Sequence, residues 1–224
     1  MSTAKNAAAP FAACRGIVFD LDDTLYDRQP ALSRLFEAWW GPLSERDWNL
    51  IKPQDARGHS IRVEFFSFLK ERYPVPDASG AELWERYQRE FPAHIRVDDT
   101  LPVLRRLART DLVQSILTNG GSQFQRAKYH AAGLAEFIGP DRVFVSGEIG
   151  RDKPDPITFH HVCAALKLAP HELLFVGDHP EKDIAGARAV GFSTCWFQRD
   201  EREHADADAT IRSLSELLPL LGLD

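Results

Sequence analysis

The sequence contains few cysteines. Its 224 residues include only three, Cys14, Cys163 and Cys195. Their odd number and wide spacing exclude a disulfide framework and a cysteine-based zinc site. Because unpaired cysteines are typical of a reducing compartment, we expect a cytoplasmic protein.

The sequence also lacks an excess of positive charge. Lysine and arginine total 27, against 33 aspartates and glutamates, for a formal net charge of −6. A basic face for nucleic acid is therefore not expected. A small anionic substrate stays open, provided that a local cation recruits it.

Long apolar runs are missing as well. No stretch approaches the roughly 20 apolar residues of a membrane-spanning helix. The alanine-rich start, Met1 to Ala13, contains one lysine and is interrupted by Pro10. Since it has no sustained apolar core, it predicts a frayed tail rather than a signal peptide. We expect no membrane partner.

What the sequence does contain is a series of short apolar runs separated by helical patterns. The runs are Ile17–Leu21, Val113–Leu117, Leu173–Val176 and Ser193–Phe197, with a weaker one at Val143–Val145. Alternation of strand and helix predicts right-handed crossovers and a parallel sheet. Because the runs are nearly continuous, we expect helices on both faces of this sheet, and so an α/β fold.

One long interval interrupts this alternation. Between Asp27 and Asp98 there is no good candidate for a parallel strand, but three helical patterns carry aromatic residues at spacings of three and four. They cover Ala31–Leu50, Ile61–Tyr73 and Ala81–Phe91. The sequence therefore predicts a core domain of residues 1–26 and 99–224, with a helical domain of residues 27–98 inserted into it.

The first apolar run ends in a cluster of carboxylates, Asp20, Asp22 and Asp23. Packed carboxylates raise one another's pKa unless a cation or a proton lies among them. The carboxyl edge of a parallel sheet is also where ligands bind. Asp20 is a candidate nucleophile toward phosphorus, and Asp22 is a candidate general acid and base.

Three later segments carry further candidate site residues. Thr118 and Asn119 precede two glycines at a helix start, which is typical of an anion cradle. Lys153 lies beside prolines that fix its backbone, as a point charge for phosphate would require. Asp178 and Asp183 are suited to hold a hard divalent cation, with magnesium as the natural choice.

Together these segments resemble the haloacid dehalogenase-like (HAD) hydrolase superfamily, in its phosphatase branch with a helical cap of the C1 type. The resemblance extends from Arg15 to about Phe197 and contains the four family motifs in order. The matching residues are Asp20, Asp22 and Thr24 in the first motif, Thr118 in the second, Lys153 in the third, and Asp178 with Asp183 in the fourth.

The resemblance implies a three-layered, Rossmann-like α/β sandwich with an inserted helical cap. It implies an aspartyl-phosphate on Asp20, with Asp22 protonating the leaving group and then deprotonating water. The phosphoryl group would be bound by Thr118, Asn119 and Lys153. Magnesium would be held by Asp20, the backbone carbonyl of Asp22, Asp178 and Asp183.

The substrate that this implies is a small phosphorylated metabolite, such as a sugar phosphate, a nucleotide or a phosphoglycolate-like ester. Arg57 and His59, in the predicted cap, are candidate contacts to its leaving group, and the alternative is that they are exposed loop residues. The sequence leaves the oligomeric state open.

Four alternative functions differ in chemistry from a phosphatase. A 2-haloacid dehalogenase normally lacks an acidic residue at the position of Asp22. A phosphonatase would use a cap lysine, for which Lys52 and Lys70 are available. Asp22, however, again departs from what that branch usually shows. A sugar phosphomutase shares the core and the cap and is excluded less firmly. A binding module without activity would be favoured if a motif carboxylate were missing, and none is.

Overall fold

The computed structural model describes residues 9–58, 62–73, 78–97, 99–199 and 204–223, apart from the side chain of residue 57. The chain forms two compact units. One consists of Met1–Tyr26 with Val97–Asp224, and the other of Asp27–Arg96. The second unit lies where we predicted the helical insertion, and its role as a cap stays a prediction.

Within the described residues, six strands form one sheet in the first unit. They are β1 (Gly16–Phe19), β2 (Val113–Thr118), β3 (Val143–Val145), β4 (Leu173–Gly177), β5 (Ser193–Phe197) and β6 (Ala209–Ile211). The spatial order is β3-β2-β1-β4-β5-β6, and every neighbouring pair is parallel. This confirms the parallel α/β fold that the sequence predicts.

Five of the ten α-helices of the described residues lie between β1 and β2, and the others follow β2 along the chain. In chain order, these helices are α1 (Arg28–Trp40), α2 (Glu45–Asp55), α3 (Arg62–Arg72), α4 (Gly80–Glu90), α5 (Leu101–Leu107), α6 (Ser122–Ala131), α7 (Ser146–Ile149), α8 (Pro156–Leu166), α9 (Gly186–Ala189) and α10 (Leu217–Leu220). A π-helical segment, Pro180–Ala185, precedes α9. No helix of these described segments is long and apolar enough to cross a membrane.

Strand β1 is covered on both faces. Successive side chains of a strand point to opposite sides, and all four residues of β1 are buried. On one side, Val18 and Phe175 belong to a cluster that also contains Phe159 of α8 and Phe192. The catalytic candidates that follow β1 therefore extend from a strand that is fixed by packing.

The second unit is built from α1 to α4 with an aromatic interior. Phe36 lies 4.8 Å from Trp40 and 6.1 Å from Trp48 between ring centroids, and Phe66 lies 5.2 Å from Tyr87. These contacts explain the aromatic spacing in the sequence.

The single pattern that we predicted over Ala31–Leu50 is two helices. Gly41 ends α1 with a φ of 79°, a left-handed conformation that favours glycine. Ser44 then begins α2 with a capping box, in which its side chain and that of Asp47 each bind the other's backbone N–H.

A buried ion cluster lies at the end of α2. Arg28 donates to both carboxylate oxygens of Asp55, and Arg62 donates to Asp55 Oδ1 at 3.1 Å. The Asp55 side chain is only 3% exposed. The cluster fixes the residue that precedes the loop with our candidates Arg57 and His59. The Arg57 side chain and the whole of His59 lie outside the described residues.

The C-terminal part differs from the sequence-based expectation. Strand β6 was not predicted, and it pairs with β5 through Ala209 opposite Cys195. After β6, a 3-10 turn at Leu214–Glu216 is followed by the single turn of α10. Proline at position 219 limits that helix because it lacks an N–H.

Candidate active site

The ends of three neighbouring strands provide the predicted site residues. Asp20 follows β1, Thr118 is the last residue of β2, and Asp178 follows β4. The backbone N–H of Asp20 donates to the carbonyl of Val176 at 2.9 Å, so Asp20 continues the pairing with β4. The strand order changes direction at β1 and β4, and ligands of open α/β sheets bind at the carboxyl end of such a switch point.

Lys153 connects two of the predicted carboxylates. Its Nζ atom lies 2.6 Å from Asp20 Oδ1 and 2.7 Å from Asp183 Oδ1, and its side chain is 2% exposed. Burial alone would lower the pKa of Lys153, but Asp183 and Asp20 together raise it above its usual range. Lys153 is therefore a fixed cation between Asp20, which follows β1, and Asp183, which lies in the π-helical segment.

Asp20, Asp178 and Asp183 form a cluster of buried carboxylates. Each offers one oxygen, and these oxygens lie within 4.8 Å of one another. Burial raises the pKa of Asp20 to about 7, with Asp183 and Asp22 adding to the effect and Lys153 opposing it. One ammonium does not balance three carboxylates, so the donor set fits a hard divalent cation such as magnesium.

Asp183 reaches this cluster because Gly177 has no side chain. A Cβ atom at Gly177 would lie 2.5 Å from Asp183 Oδ2, closer than real contacts allow. The same oxygen accepts from the backbone N–H of His179 at 3.0 Å. The His179 imidazole accepts from the N–H groups of Glu181 and Lys182 at 3.2 Å each, which makes it the cap of the π-helical segment.

Asp22 lies in a separate set of contacts. Lys128 Nζ is 2.6 Å from each of its carboxylate oxygens. Tyr26 donates its hydroxyl to Oδ1, and Gln125 donates to Oδ2 at 3.0 Å. Burial would raise the pKa of Asp22, but Lys128 together with hydrogen bonds from Tyr26 and Gln125 lowers it to about 2. Asp22 is thus ionised, and its carboxylate lies outside the cluster of Asp20.

The chain turns over Leu21–Leu25, directly after Asp20. Asp23 has a φ of 58°, in the left-handed region that aspartate tolerates better than most residues. The N–H of Leu25 donates to the carbonyl of Leu21 at 3.0 Å, and Asp22 and Tyr26 form an isolated bridge. A continuing strand would place Asp20 and Asp22 on one face, whereas this turn gives them different neighbours.

Thr118 and Asn119 are held by side-chain amides. Gln125 Nε2 donates to Thr118 Oγ1 and, at 2.8 Å, to the Asn119 carbonyl. The Asn119 side chain donates to the Lys153 carbonyl at 2.9 Å and accepts from the Lys153 N–H at 2.8 Å. Asn119 therefore connects the end of β2 to the backbone of Lys153, and its predicted role in phosphate binding stays a prediction.

Three residues that contact Asp22 were not predicted from the sequence, namely Tyr26, Gln125 and Lys128. Gln125 and Lys128 are three residues apart on α6, so they share a helix face. Both are buried. Two long polar side chains at this spacing, on a helix that begins four residues after Thr118, were the signal that could have identified them.

Comparisons with known proteins agree with this geometry. The family model described as haloacid dehalogenase-like hydrolase matches residues 14–191. The chain is 33% identical over 193 residues to the phosphoserine phosphatase of Thermus thermophilus, which covers 84% of this chain and 68% of that protein. It is 29% identical over 233 residues to the ribulose-1,5-bisphosphate 5-phosphatase of Halopiger xanaduensis. This match covers 92% of this chain and 95% of that protein.

Solved structures are similar over nearly the whole chain. The HAD-hydrolase YfnB of Bacillus subtilis, in a structure bound to magnesium, has a TM-score of 0.75 at 27% identity and covers 94% of this chain and 99% of its own. A dehalogenase has a TM-score of 0.73 at 23% identity, and the match covers 95% of this chain and 99% of the dehalogenase chain. The second likeness is one of fold alone, so the fold does not separate phosphatase from dehalogenase.

Proposed function

The chain belongs to the haloacid dehalogenase-like hydrolases and is a phosphoric monoester hydrolase, and we propose that it uses magnesium and an aspartyl-phosphate on Asp20. The observation that carries this proposal is the Lys153 ammonium at 2.6 Å from Asp20, within a cluster of three buried carboxylates. A nucleophilic carboxylate must approach an anionic phosphoryl group, and fixed positive charge makes that approach favourable.

The presence of Asp22 favours phosphoryl transfer over dehalogenation. The leaving group of a phosphate ester is an alkoxide, which needs a proton, whereas a halide leaves without one. Asp22 lies two residues after Asp20 and is held at the same end of the sheet through Gln125, which also binds Thr118. This position supports the proposed role of Asp22 as acid and base.

In the first half-reaction, Asp20 would attack phosphorus while the bond to the ester oxygen breaks. Asp22, after taking up a proton, would give it to the departing oxygen. Lys153 and Thr118, with Asn119 beside them, would bind the phosphoryl oxygens. Lys153 touches Asp20 directly, so it can contact both the nucleophile and the oxygens that gain charge in the transition state.

In the second half-reaction, Asp22 would remove a proton from water, and this water would attack phosphorus. The bond between phosphorus and Asp20 then breaks, releasing inorganic phosphate and restoring the carboxylate. Magnesium, held by Asp20, Asp178, Asp183 and the backbone carbonyl of Asp22, would offset negative charge on the carboxylates and the phosphoryl group.

We also propose that the unit Asp27–Arg96 is a cap that selects the substrate, with Arg57 and His59 as its candidate contacts. The candidate catalytic residues all lie in the other unit, so the helical unit is free to vary with the substrate. The substrate class that we propose is a small phosphorylated metabolite. The relatives named above act on phosphoserine and on a sugar bisphosphate, and both are small phosphate esters.

A panel of phosphate monoesters tests this function. The enzyme should hydrolyse sugar phosphates, nucleotides, phosphoserine and phosphoglycolate at different rates with magnesium, and lose activity in EDTA. A sugar phosphomutase would instead move phosphate within a sugar without releasing it. Full activity of metal-free enzyme on a 2-haloacid, with none on phosphate esters, would favour the dehalogenase.

A further inference from the structure

We propose that Lys128 is a positioning residue that fixes the carboxylate of Asp22 for proton transfer. This inference rests on the proposed acid–base role of Asp22. Lys128 lies on α6, 106 residues along the chain from Asp22, and its Nζ atom is 2.6 Å from both carboxylate oxygens. It lies outside all four motifs by which the sequence resembles its family.

The contacts leave the Asp22 carboxylate little freedom. Oδ1 accepts from Lys128 and from the Tyr26 hydroxyl, and Oδ2 accepts from Lys128 and from Gln125. An ionised carboxylate has about four lone-pair sites, so these donors hold it in one orientation, and one of the four contacts must give way when Asp22 takes up a proton. Rotation of the side chain would break several of these bonds together, and Lys128 is the donor that contacts both oxygens.

Lys128 is itself fixed. Its side chain is 6% exposed, and Nζ lies 4.4 Å from the centre of the Phe124 ring. Gln125, one helical turn earlier, binds both Asp22 and Thr118. Helix α6 therefore sets the distance between the proposed acid and the proposed phosphate-binding hydroxyl, and Lys128 is its charged contact.

Accurate placement matters because proton transfer needs short heavy-atom distances. A group that exchanges a proton must come within roughly 2.6–3.2 Å of its partner, directly or through one water. A displacement of about 1 Å can reduce the rate on the order of 100-fold. Without Lys128, Asp22 would keep two of its donors and would sample other rotamers.

Three variants test this role. Lys128→Met removes the charge and keeps an unbranched side chain, and Lys128→Arg keeps the charge. Arg126→Met is the matched control, since Arg126 lies on the same helix but pairs with Glu148 at 2.6 Å, away from Asp22. Urea unfolding of each variant shows whether it folds.

The measurements separate the two half-reactions. In Lys128→Met, phosphorylation of Asp20 by p-nitrophenyl phosphate should change by less than about 3-fold, because this leaving group needs no proton. Turnover of alkyl phosphates should fall about 10- to 100-fold, with KM changing by less than about 3-fold. Dephosphorylation should be slow, so phosphoenzyme accumulates. Lys128→Arg should recover part of the loss, and Arg126→Met should resemble the wild type.

Other outcomes contradict the inference. Equal losses in the rate of Asp20 phosphorylation by aryl and alkyl esters, without accumulation of phosphoenzyme, would make Lys128 structural only, and unchanged kinetics would give it no role. If Lys128→Met fails to fold, Lys128→Arg decides the inference. A loss in Asp20 phosphorylation that is larger with alkyl than with aryl esters supports it, and an equal loss with both, or no loss, overturns it.

The failure of the proposed function has a different signature. It would appear as a wild-type enzyme that forms no phosphoenzyme and releases no phosphate, and the inference would then fail with it. If the wild type is an active phosphatase, the Lys128 variants alone decide the inference.

Discussion

The amide of Asn119 and the backbone of Lys153 form a pair of hydrogen bonds like those between two strands. The amide donates to the Lys153 carbonyl at 2.9 Å and accepts from its N–H at 2.8 Å. Lys153 follows an irregular segment after α7, and this pair connects it to the end of β2. These two hydrogen bonds help to position the Lys153 ammonium, although Lys153 lies in neither a helix nor a strand.

Removing this pair should reduce activity through Lys153. Asn119→Ala should lower kcat/KM about 10- to 100-fold and the free energy of unfolding by about 1–3 kcal/mol, because two partly buried hydrogen bonds are lost. Asn119→Asp keeps the acceptor but places an oxygen against the Lys153 carbonyl, so its loss should be at least as large. Asn49→Ala, at an exposed asparagine, is the control. Wild-type kcat/KM in Asn119→Ala would contradict this role.

Magnesium binding should depend on pH because Asp20 binds a proton in the metal-free protein. Burial raises the pKa of Asp20 to about 7, so below this pH the metal must displace the proton. The apparent affinity for magnesium should rise about tenfold per pH unit up to about pH 7 and then level off. Calorimetry in two buffers with different ionisation enthalpies should detect the released proton at about pH 6. Affinity that does not vary between about pH 5.5 and 8 would contradict this pKa.

Asp55 should contribute strongly to the stability of the helical unit. Asp55→Asn leaves Arg28 and Arg62 without their shared carboxylate, and breaking a buried pair in this way costs about 3–5 kcal/mol. Burial alone would raise the pKa of Asp55, but Arg28 and Arg62 lower it. Its contribution is therefore present above the unfolded pKa and is lost as the pH falls through the lower folded value.

Tryptophan fluorescence during urea unfolding measures this effect, since four of the five tryptophans lie in the unit Asp27–Arg96. Asp47→Asn is the matched control. Asp47 lies on the same helix as Asp55 and belongs to an exposed capping box, so the loss should be only about 1 kcal/mol. Equal losses of unfolding free energy in the two variants would show that the buried cluster stabilises the unit no more than the exposed capping box does.

The sequence predicted those features that repeat or that lie at strand ends. The runs at Val143–Val145 and Ser193–Phe197 are strands with those bounds, because continuous apolar residues between helical patterns have few other uses. Strand β6 was missed because it has only three residues, one of them exposed, and lies at the edge of the sheet. Its pairing with β5 is a tertiary contact that local pattern does not encode.

The candidate site also contains residues that the local sequence predicts and residues that only tertiary contacts bring in. Asp20 was selected because a carboxylate cluster after an apolar strand is hard to explain otherwise, Lys153 because prolines fix its backbone, and Asp178 with Asp183 because they could hold a divalent cation. The structure brings these four residues together. Lys128 was not selected, since a lysine on an amphipathic helix is ordinarily exposed. Only the fold brings it to Asp22, 106 residues away in the chain.

Trapping the phosphoenzyme tests the central claim most directly. The enzyme is mixed with magnesium and radiolabelled p-nitrophenyl phosphate, whose leaving group needs no proton. The reaction is quenched in acid, the protein is digested, and the labelled peptide is sequenced by mass spectrometry. The account predicts label on Asp20, none in Asp20→Asn or in EDTA, and greater accumulation in Asp22→Asn, which cannot activate water. Phosphate release without any label on Asp20, or with label on another residue, would contradict it.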